Sequence, residues 1–102
     1  PKRLLLAVSG GSDSIALMHL AASLPAVELR VATVDHGLRP TSADDARFVE
    51  REAAAVGVEA VTLRWEGEKP STGVQAAARA ARYRLLAREA ERWRAEAILV
   101  AH

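Results

Sequence analysis

Apolar residues come in four short, nearly continuous runs: Leu4–Val8, Leu29–Val34, Ala60–Leu63 and Ala97–Val100. Aliphatic and β-branched runs of that length suit parallel strands covered on both faces. Between them the pattern changes to helical spacing. Leu17, Leu20, Ala21 and Leu24 share one face of a first helix, with Pro25 just beyond. Ala46, Val49, Ala53 and Val56 repeat on a second helix. It opens at Ser42 with Asp45 three residues later, a capping-box spacing, and ends at Gly57, a good left-handed cap. A third opens at Thr72 with Gln75 three residues on. This alternation predicts an α/β fold: an open parallel sheet with helices on both faces and right-handed crossovers. The only long loop is residues 66–71, and no repeat, linker or low-complexity segment interrupts the pattern.

Composition narrows the classes without choosing one. At 102 residues the chain is one domain at most, and 50% apolar residues suffice for a core. A net charge of +1 offers no electrostatic argument for nucleic acid or membrane. With no cysteine, this chain has no disulfide, thiolate zinc, iron–sulfur cluster or cysteine nucleophile of its own. No apolar run approaches the roughly 20 residues that span a bilayer. The opening PKRLLLAVSGG reads into a strand rather than a signal peptide, so a soluble cytoplasmic protein is expected. The closing AILVAH reads as a buried strand reaching its end, where a domain rarely stops. The expectation is therefore an amino-terminal fragment, residues 1–102, of a larger α/β domain. Its sheet would lack an edge strand and tend to self-associate.

Chemistry concentrates in SGGSDS, residues 9–14, between the first strand and the first helix. In open α/β sheets, ligands lie beyond the carboxyl ends of the strands. Gly10 and Gly11 allow a close backbone approach, and the amides opening the helix favour an anion. Ser9, Ser12 and Ser14 add hydroxyls. Asp13 would repel a phosphate unless a divalent cation lay between them, which makes it a candidate Mg²⁺ contact. The alternative is an ordinary turn with Ser12 or Asp13 as helix cap. The hexapeptide is neither a Walker A loop nor the three-glycine Rossmann fingerprint.

Other residues extend this picture. At about 100° per residue, Gln75, Arg79, Arg82, Leu86, Ala90 and Trp93 fall on one stripe of the third helix. Its apolar end would pack on the sheet, which would hang Arg79 and Arg82 over the phosphate turn. A competing stripe, Val74, Ala77, Ala78, Ala81 and Leu85, would turn Arg79 outward. Guanidinium groups pair with phosphate oxygens and can offset charge on departing pyrophosphate. Asp35 and His36 end the second strand at the same edge, as ligand contacts or as turn-formers before Gly37. His19 reads as a surface or packing residue, and Trp65 and Tyr83 as packing aromatics. Arg84, Arg88 and Arg92, with Glu89, Glu91 and Glu96 at pairing distance, read as a charge-balanced exposed face.

SGGSDS after an apolar strand resembles the PP-loop of the N-type ATP pyrophosphatases, enzymes of the adenine nucleotide alpha-hydrolase-like fold. DHGLR (residues 35–39) and ARAARY (78–83) resemble segments of one subfamily, the tRNA(Ile)-lysidine synthetases. The final VAH matches the start of that family's Ala-His-His-x-x-Asp-Asp motif, ending at His102. The likeness covers essentially the whole chain, with its motifs in order. Gln75 departs from it, since many relatives carry Glu there. The absence of cysteine also separates the chain from tRNA thiolases that depend on CxxC pairs.

The resemblance implies a ligase of the C–N-bond-forming kind. ATP would adenylate C2 of the wobble cytidine in the CAU anticodon of tRNA(Ile), and L-lysine would displace AMP to give lysidine. It implies ATP contacts at Ser9, Gly10, Gly11, Ser12, Asp13, Ser14, Val34 and His36, the adenine resting near Val34. It also implies catalytic roles for Asp13, Arg79 and Arg82, with Mg²⁺ at Asp13. The lysine site and most of the tRNA surface would lie outside residues 1–102. The isolated chain would then bind ATP weakly, if at all, and form no lysidine. Oligomeric state stays open, a homodimer included. Alternatives are another PP-loop enzyme (a tRNA thiolase or a GMP or NAD synthetase domain) or a non-catalytic nucleotide-binding module.

Overall fold

Strands and helices alternate along the chain: β1 (Lys2–Ala7), α1 (Ser12–Ala22), β2 (Val27–Asp35), α2 (Ser42–Ala55), β3 (Glu59–Arg64), α3 (Val74–Trp93) and β4 (Ala97–Val100). The computed structural model describes residues 2–100, so His102 and the motif it begins lie outside the described residues. All strand pairs are parallel and the sheet order is β3-β2-β1-β4. The sheet thus grows outward from β1 through β2 to β3, then returns to place β4 on β1's other side. Reversal of that kind opens a crevice at the carboxyl ends of the strands, and the turn after β1 borders it.

Side-chain alternation along the strands divides the core in two. On one face Leu6, Val8 and Val31 pack with Met18 and Ala21 of α1 and with Val49 and Ala53 of α2. On the other Leu5, Ala7 and Ala32 meet Leu86 and Ala90 of α3. Both faces carry helices, as the strand pattern predicts.

Three expectations about packing need correction. The buried stripe of α1 is Ser14, Met18 and Ala21, while Leu20 is 64% exposed and Leu24 lies beyond the helix end. Leucine spacing misleads there because the face turned to the sheet runs through Ser14, Met18 and Ala21, with Leu17 only at its margin. β4 is an edge strand rather than a buried one, with Ile98 and Leu99 partly exposed. Leu99 pairs in register with Leu6, on the face that α1 and α2 cover further along the sheet. The charge-balanced ridge on α3 also fails at Glu89, which is buried and salt-bridged to Arg30 of β2 and Arg92.

Helix ends differ from the spacing rules as well. Neither expected capping box forms, because α2 follows Thr41 and α3 follows Gly73, with no side-chain cap on either. At the other end α2 closes as expected at Gly57 (φ +75°). There Gly57 N–H donates to Ala54 O and Val58 N–H to Ala53 O, a Schellman pattern. α3 closes through the same pair of bonds, but with Arg94 in the left-handed position at φ +61°. An L side chain is strained there, so Arg94→Gly is expected to raise stability by about 0.5–1 kcal/mol. Urea unfolding of the two proteins measures it, and a lower midpoint for the glycine variant would contradict the expectation.

Candidate functional site

The turn leaving β1 is built around two serine hydroxyls. Ser9 N–H donates to Ser14 Oγ at 2.8 Å, and Gly11 N–H donates to Ser9 Oγ at 3.3 Å. Gly11 takes the N-cap position of α1, and the first helical bond runs from Ile15 N–H to Gly11 O at 3.1 Å. The amides of Ser12, Asp13 and Ser14 precede that bond, and no side chain caps them. Among the described residues, no backbone carbonyl accepts from the amides of residues 9–14. An ordinary capped turn would have used these donors internally. Ser9 and Gly11 commit their amides to hydroxyls. Those of Gly10, Ser12, Asp13 and Ser14 have no partner among the described residues and lie at the positive end of the α1 dipole, as an anion requires.

Beside this turn opens a cleft of about 680 Å³ at the carboxyl edge of the sheet. Ser9, Gly10 and Gly11 form one part of its lining, Thr33, Val34 and His36 another. Asp45 and Ala46 contribute from α2, and Gln75, Arg79 and Arg82 from α3. Ser9, Gly10, Gly11, Val34, His36, Arg79 and Arg82 are therefore brought together, as expected from the sequence. Ser12 and Asp13 are exposed outside the cleft lining, and Ser14 is buried, holding the turn. Both α3 stripes turn inward in part. Of the competing stripe, Ala81 is buried and Val74, Ala77, Ala78 and Leu85 are half-buried. Gln75 and Arg79 are exposed at the cleft rim with Arg82 half-buried, and only further along does their line continue into buried Leu86 and Ala90. Arg79 carries its guanidinium 5.6 Å from the Tyr83 ring.

Asp35 and His36 act differently from each other. Asp35 Oδ1 accepts Gly37 N–H at 3.0 Å, which makes Asp35 a turn-former. His36 also shapes the turn, because its Nδ1 accepts Leu38 N–H at 3.1 Å, yet the same ring lines the cleft. His19 lies at the surface, 3.6 Å from Glu52.

Two charged residues were not expected here. Asp45, read from sequence only as a cap, points its carboxylate at the turn: a Cβ added to Gly10 would lie 3.7 Å from its Cβ. Its charge is partly balanced by exposed Arg39, 3.9 Å away. Lys69 packs over the Trp65 ring at 5.1 Å and donates to Trp65 O at 3.0 Å, which brings its ammonium against Gly37. The usable signal was positional. α2 begins at the carboxyl edge of the sheet, so its first turn faces the same crevice as the turn after β1. Among the described residues, no group of three His, Cys, Asp or Glu side chains could hold a metal. No helix among them is long and apolar enough to cross a membrane.

Comparison with known proteins decides the lineage of this cleft. A PP-loop domain profile matches residues 1–102. The chain belongs to the PP-loop domain family. The PP-loop domain is 56% identical, over 97% of its length, to a tRNA(Ile)-lysidine synthase of Rhodopseudomonas palustris, covering 30% of that protein. It is 50% and 48% identical, over 100% of its length, to the proteins of that name from Ruegeria pomeroyi and Rhizobium meliloti, covering 25% and 24% of them. It thus spans at most about a third of the length of the curated relatives cited. Among solved structures it resembles the U34-tRNA thiolase NcsA from Methanococcus maripaludis, a structure with its [4Fe-4S] cluster. That match has a TM-score of 0.87 at 15% identity and covers 99% of this chain and 38% of the other. At that identity the likeness speaks for the fold.

Proposed function

We propose that this PP-loop domain is the ATP-splitting part of a tRNA(Ile)-lysidine synthetase. The observation that carries the reading is the 48–56% identity, across essentially the whole chain, to proteins of that name. The cleft supports it independently through its open amides and facing arginines. In the reaction, the C2 oxygen of the wobble cytidine attacks the α-phosphorus of ATP and pyrophosphate leaves. The lysine amine then attacks C2, and AMP departs with that oxygen.

Within this scheme the residue 9–14 turn binds the β- and γ-phosphates through its open amides and the Ser9 and Ser12 hydroxyls. Ser14 fixes the turn's shape from beneath. Arg79 and Arg82 offset the charge that develops on pyrophosphate. The adenine lies against the chain at Val34, with His36 contributing a ring N–H. Mg²⁺, when bound, neutralises phosphate charge. Asp13, exposed two positions past the cleft-lining Gly11, is the carboxylate we assign to hold it. The lysine site and the main tRNA surface belong to the rest of the protein.

The test is an assay of the full-length enzyme with ATP, Mg²⁺, L-lysine and tRNA(Ile) bearing CAU, read by mass spectrometry of the tRNA. Lysidine formed with equal AMP is expected. Sulfur transfer without a need for lysine would indicate a thiolase, and ATP binding without turnover a binding module. Arg79→Ala is expected to lower kcat by about 10- to 100-fold with a smaller change in KM for ATP. An unchanged kcat would remove Arg79 from the mechanism. Asp13→Ala is expected to abolish the Mg²⁺ dependence of ATP binding.

A further inference from the structure

We infer that Ser42 is a positioning residue, which holds His36 as a one-way hydrogen-bond donor toward the nucleotide. The inference rests on the ATP-binding reading above and goes beyond it to a residue with no role there. Ser42 is 6% exposed at the first position of α2, so its hydroxyl needs partners within the protein. Two lie within reach: Arg39 N–H, which donates to Ser42 Oγ at 3.4 Å, and His36 Nδ1, also at 3.4 Å. Leu38 N–H approaches the same Nδ1 at 3.1 Å. A backbone N–H only donates, so Nδ1 is an acceptor and the proton of the neutral ring is on Nε2. The Ser42 hydroxyl, which accepts from Arg39 N–H, turns its own proton to the same Nδ1 lone pair, shared with Leu38 N–H and therefore longer at 3.4 Å.

Both interior donors converge on one ring nitrogen, and the other nitrogen is left for the ligand. His36 lines the main cleft and a smaller one of about 290 Å³ beside it, with Leu38, Arg39, Gln75 and Ala78. The ring therefore presents an N–H and selects an acceptor, such as a phosphate or ribose oxygen. Ser42 borders the same cleft, but its hydroxyl is engaged by Arg39 N–H and the His36 ring, so it acts through that ring.

The experiment uses the full-length enzyme with ¹⁵N-labelled histidine. The His36 resonances, identified by their loss in His36→Gln, should report an unprotonated Nδ1 and a protonated Nε2. Ser42→Ala, which leaves Leu38 N–H alone on Nδ1, should move the Nδ1 resonance with Nε2 still protonated, loosen the ring, and raise KM for ATP about three- to tenfold with little change in kcat. Ser42→Thr, which keeps the hydroxyl, should restore both readouts. His36→Gln, with an amide N–H in the place of Nε2–H, should retain more ATP affinity than His36→Asn. Protonated Nδ1 in the wild type would overturn the proposal. So would a Ser42→Ala enzyme with unchanged resonances and KM, or Ser42→Thr failing to rescue a well-folded protein. A wild-type enzyme that makes no lysidine would instead sink the earlier reading, since the tautomer is read from the ring directly.

Discussion

Gly10→Leu is expected to lower kcat/KM for ATP by about 100-fold or more in the full-length enzyme, with the fold retained. The argument separates backbone from space. Gly10 is not among the glycines with positive φ, so its conformation is open to any residue. A Cβ placed there would meet Asp45 at 3.7 Å, an ordinary van der Waals contact. Gly10→Ala should therefore fold normally and lose little. Leucine adds three more carbons that can only extend along the cleft lining between the turn and α2. That is where a phosphate must approach the amides, so the larger side chain excludes ligand without straining the chain. ATP kinetics together with a thermal midpoint measure both halves. Equal activity of the leucine and glycine proteins would mean the phosphates bind elsewhere.

Glu89→Ala is expected to destabilise the protein by about 2–3 kcal/mol, read from urea unfolding, because it takes from nearly buried Arg30 its buried counter-ion and leaves only the exposed carboxylate of Glu59 beside it. Glu89 is 5% exposed. Its Oε2 lies 3.0 Å from Arg30 Nη1 and 2.8 Å from Arg92 Nη2. Arg30 is nearly buried too, and its guanidinium lies 5.1 Å from the centre of the Trp93 ring. Burial alone would raise the Glu89 carboxyl. Hydrogen bonds and positive charge from Arg92 and Arg30 outweigh it and hold the group below its ordinary value of 4.5. The folded-state value is thus the lower one. The pair's contribution is complete above the ordinary carboxylate range and is lost as pH falls through the folded value. Glu89→Gln should flatten the acid side of the stability profile. An alanine variant within about 1 kcal/mol of wild type would show that the cluster carries no net stability.

The parts of this molecule that the sequence made legible were those governed by short-range rules. Aliphatic runs located all four strands, and the glycine-rich turn could be assigned to the sheet's carboxyl edge because it joins a strand directly to a helix. The α3 stripe from Gln75 to Ala90 named arginines that line the cleft, yet the inward face of the helix's first half is the competing stripe around buried Ala81, because the cleft rim and the core draw on neighbouring faces of one helix. What stayed hidden depended on neighbours distant in sequence. Leu20 looks like core until α1 is packed with Met18 and Ala21 inward. Glu89 looks like a surface partner of Arg92 until β2 brings Arg30 beneath it. Ser42 and Asp45 have ideal capping spacing. The chain instead enters α2 at Thr41, leaving Ser42 for His36 and Asp45 for the cleft. Local propensity names candidates for such residues, but tertiary contacts assign their partners.

A crystal structure of the full-length enzyme with a non-hydrolysable ATP analogue and Mg²⁺ bears most directly on the nucleotide cleft. The expected result is β- and γ-phosphate oxygens within about 3 Å of the open amides of the Ser9–Ser14 turn, with Arg79 reaching the same phosphates. Analogue bound with its phosphates away from that turn, and the turn's amides contacting only water or protein, would contradict it.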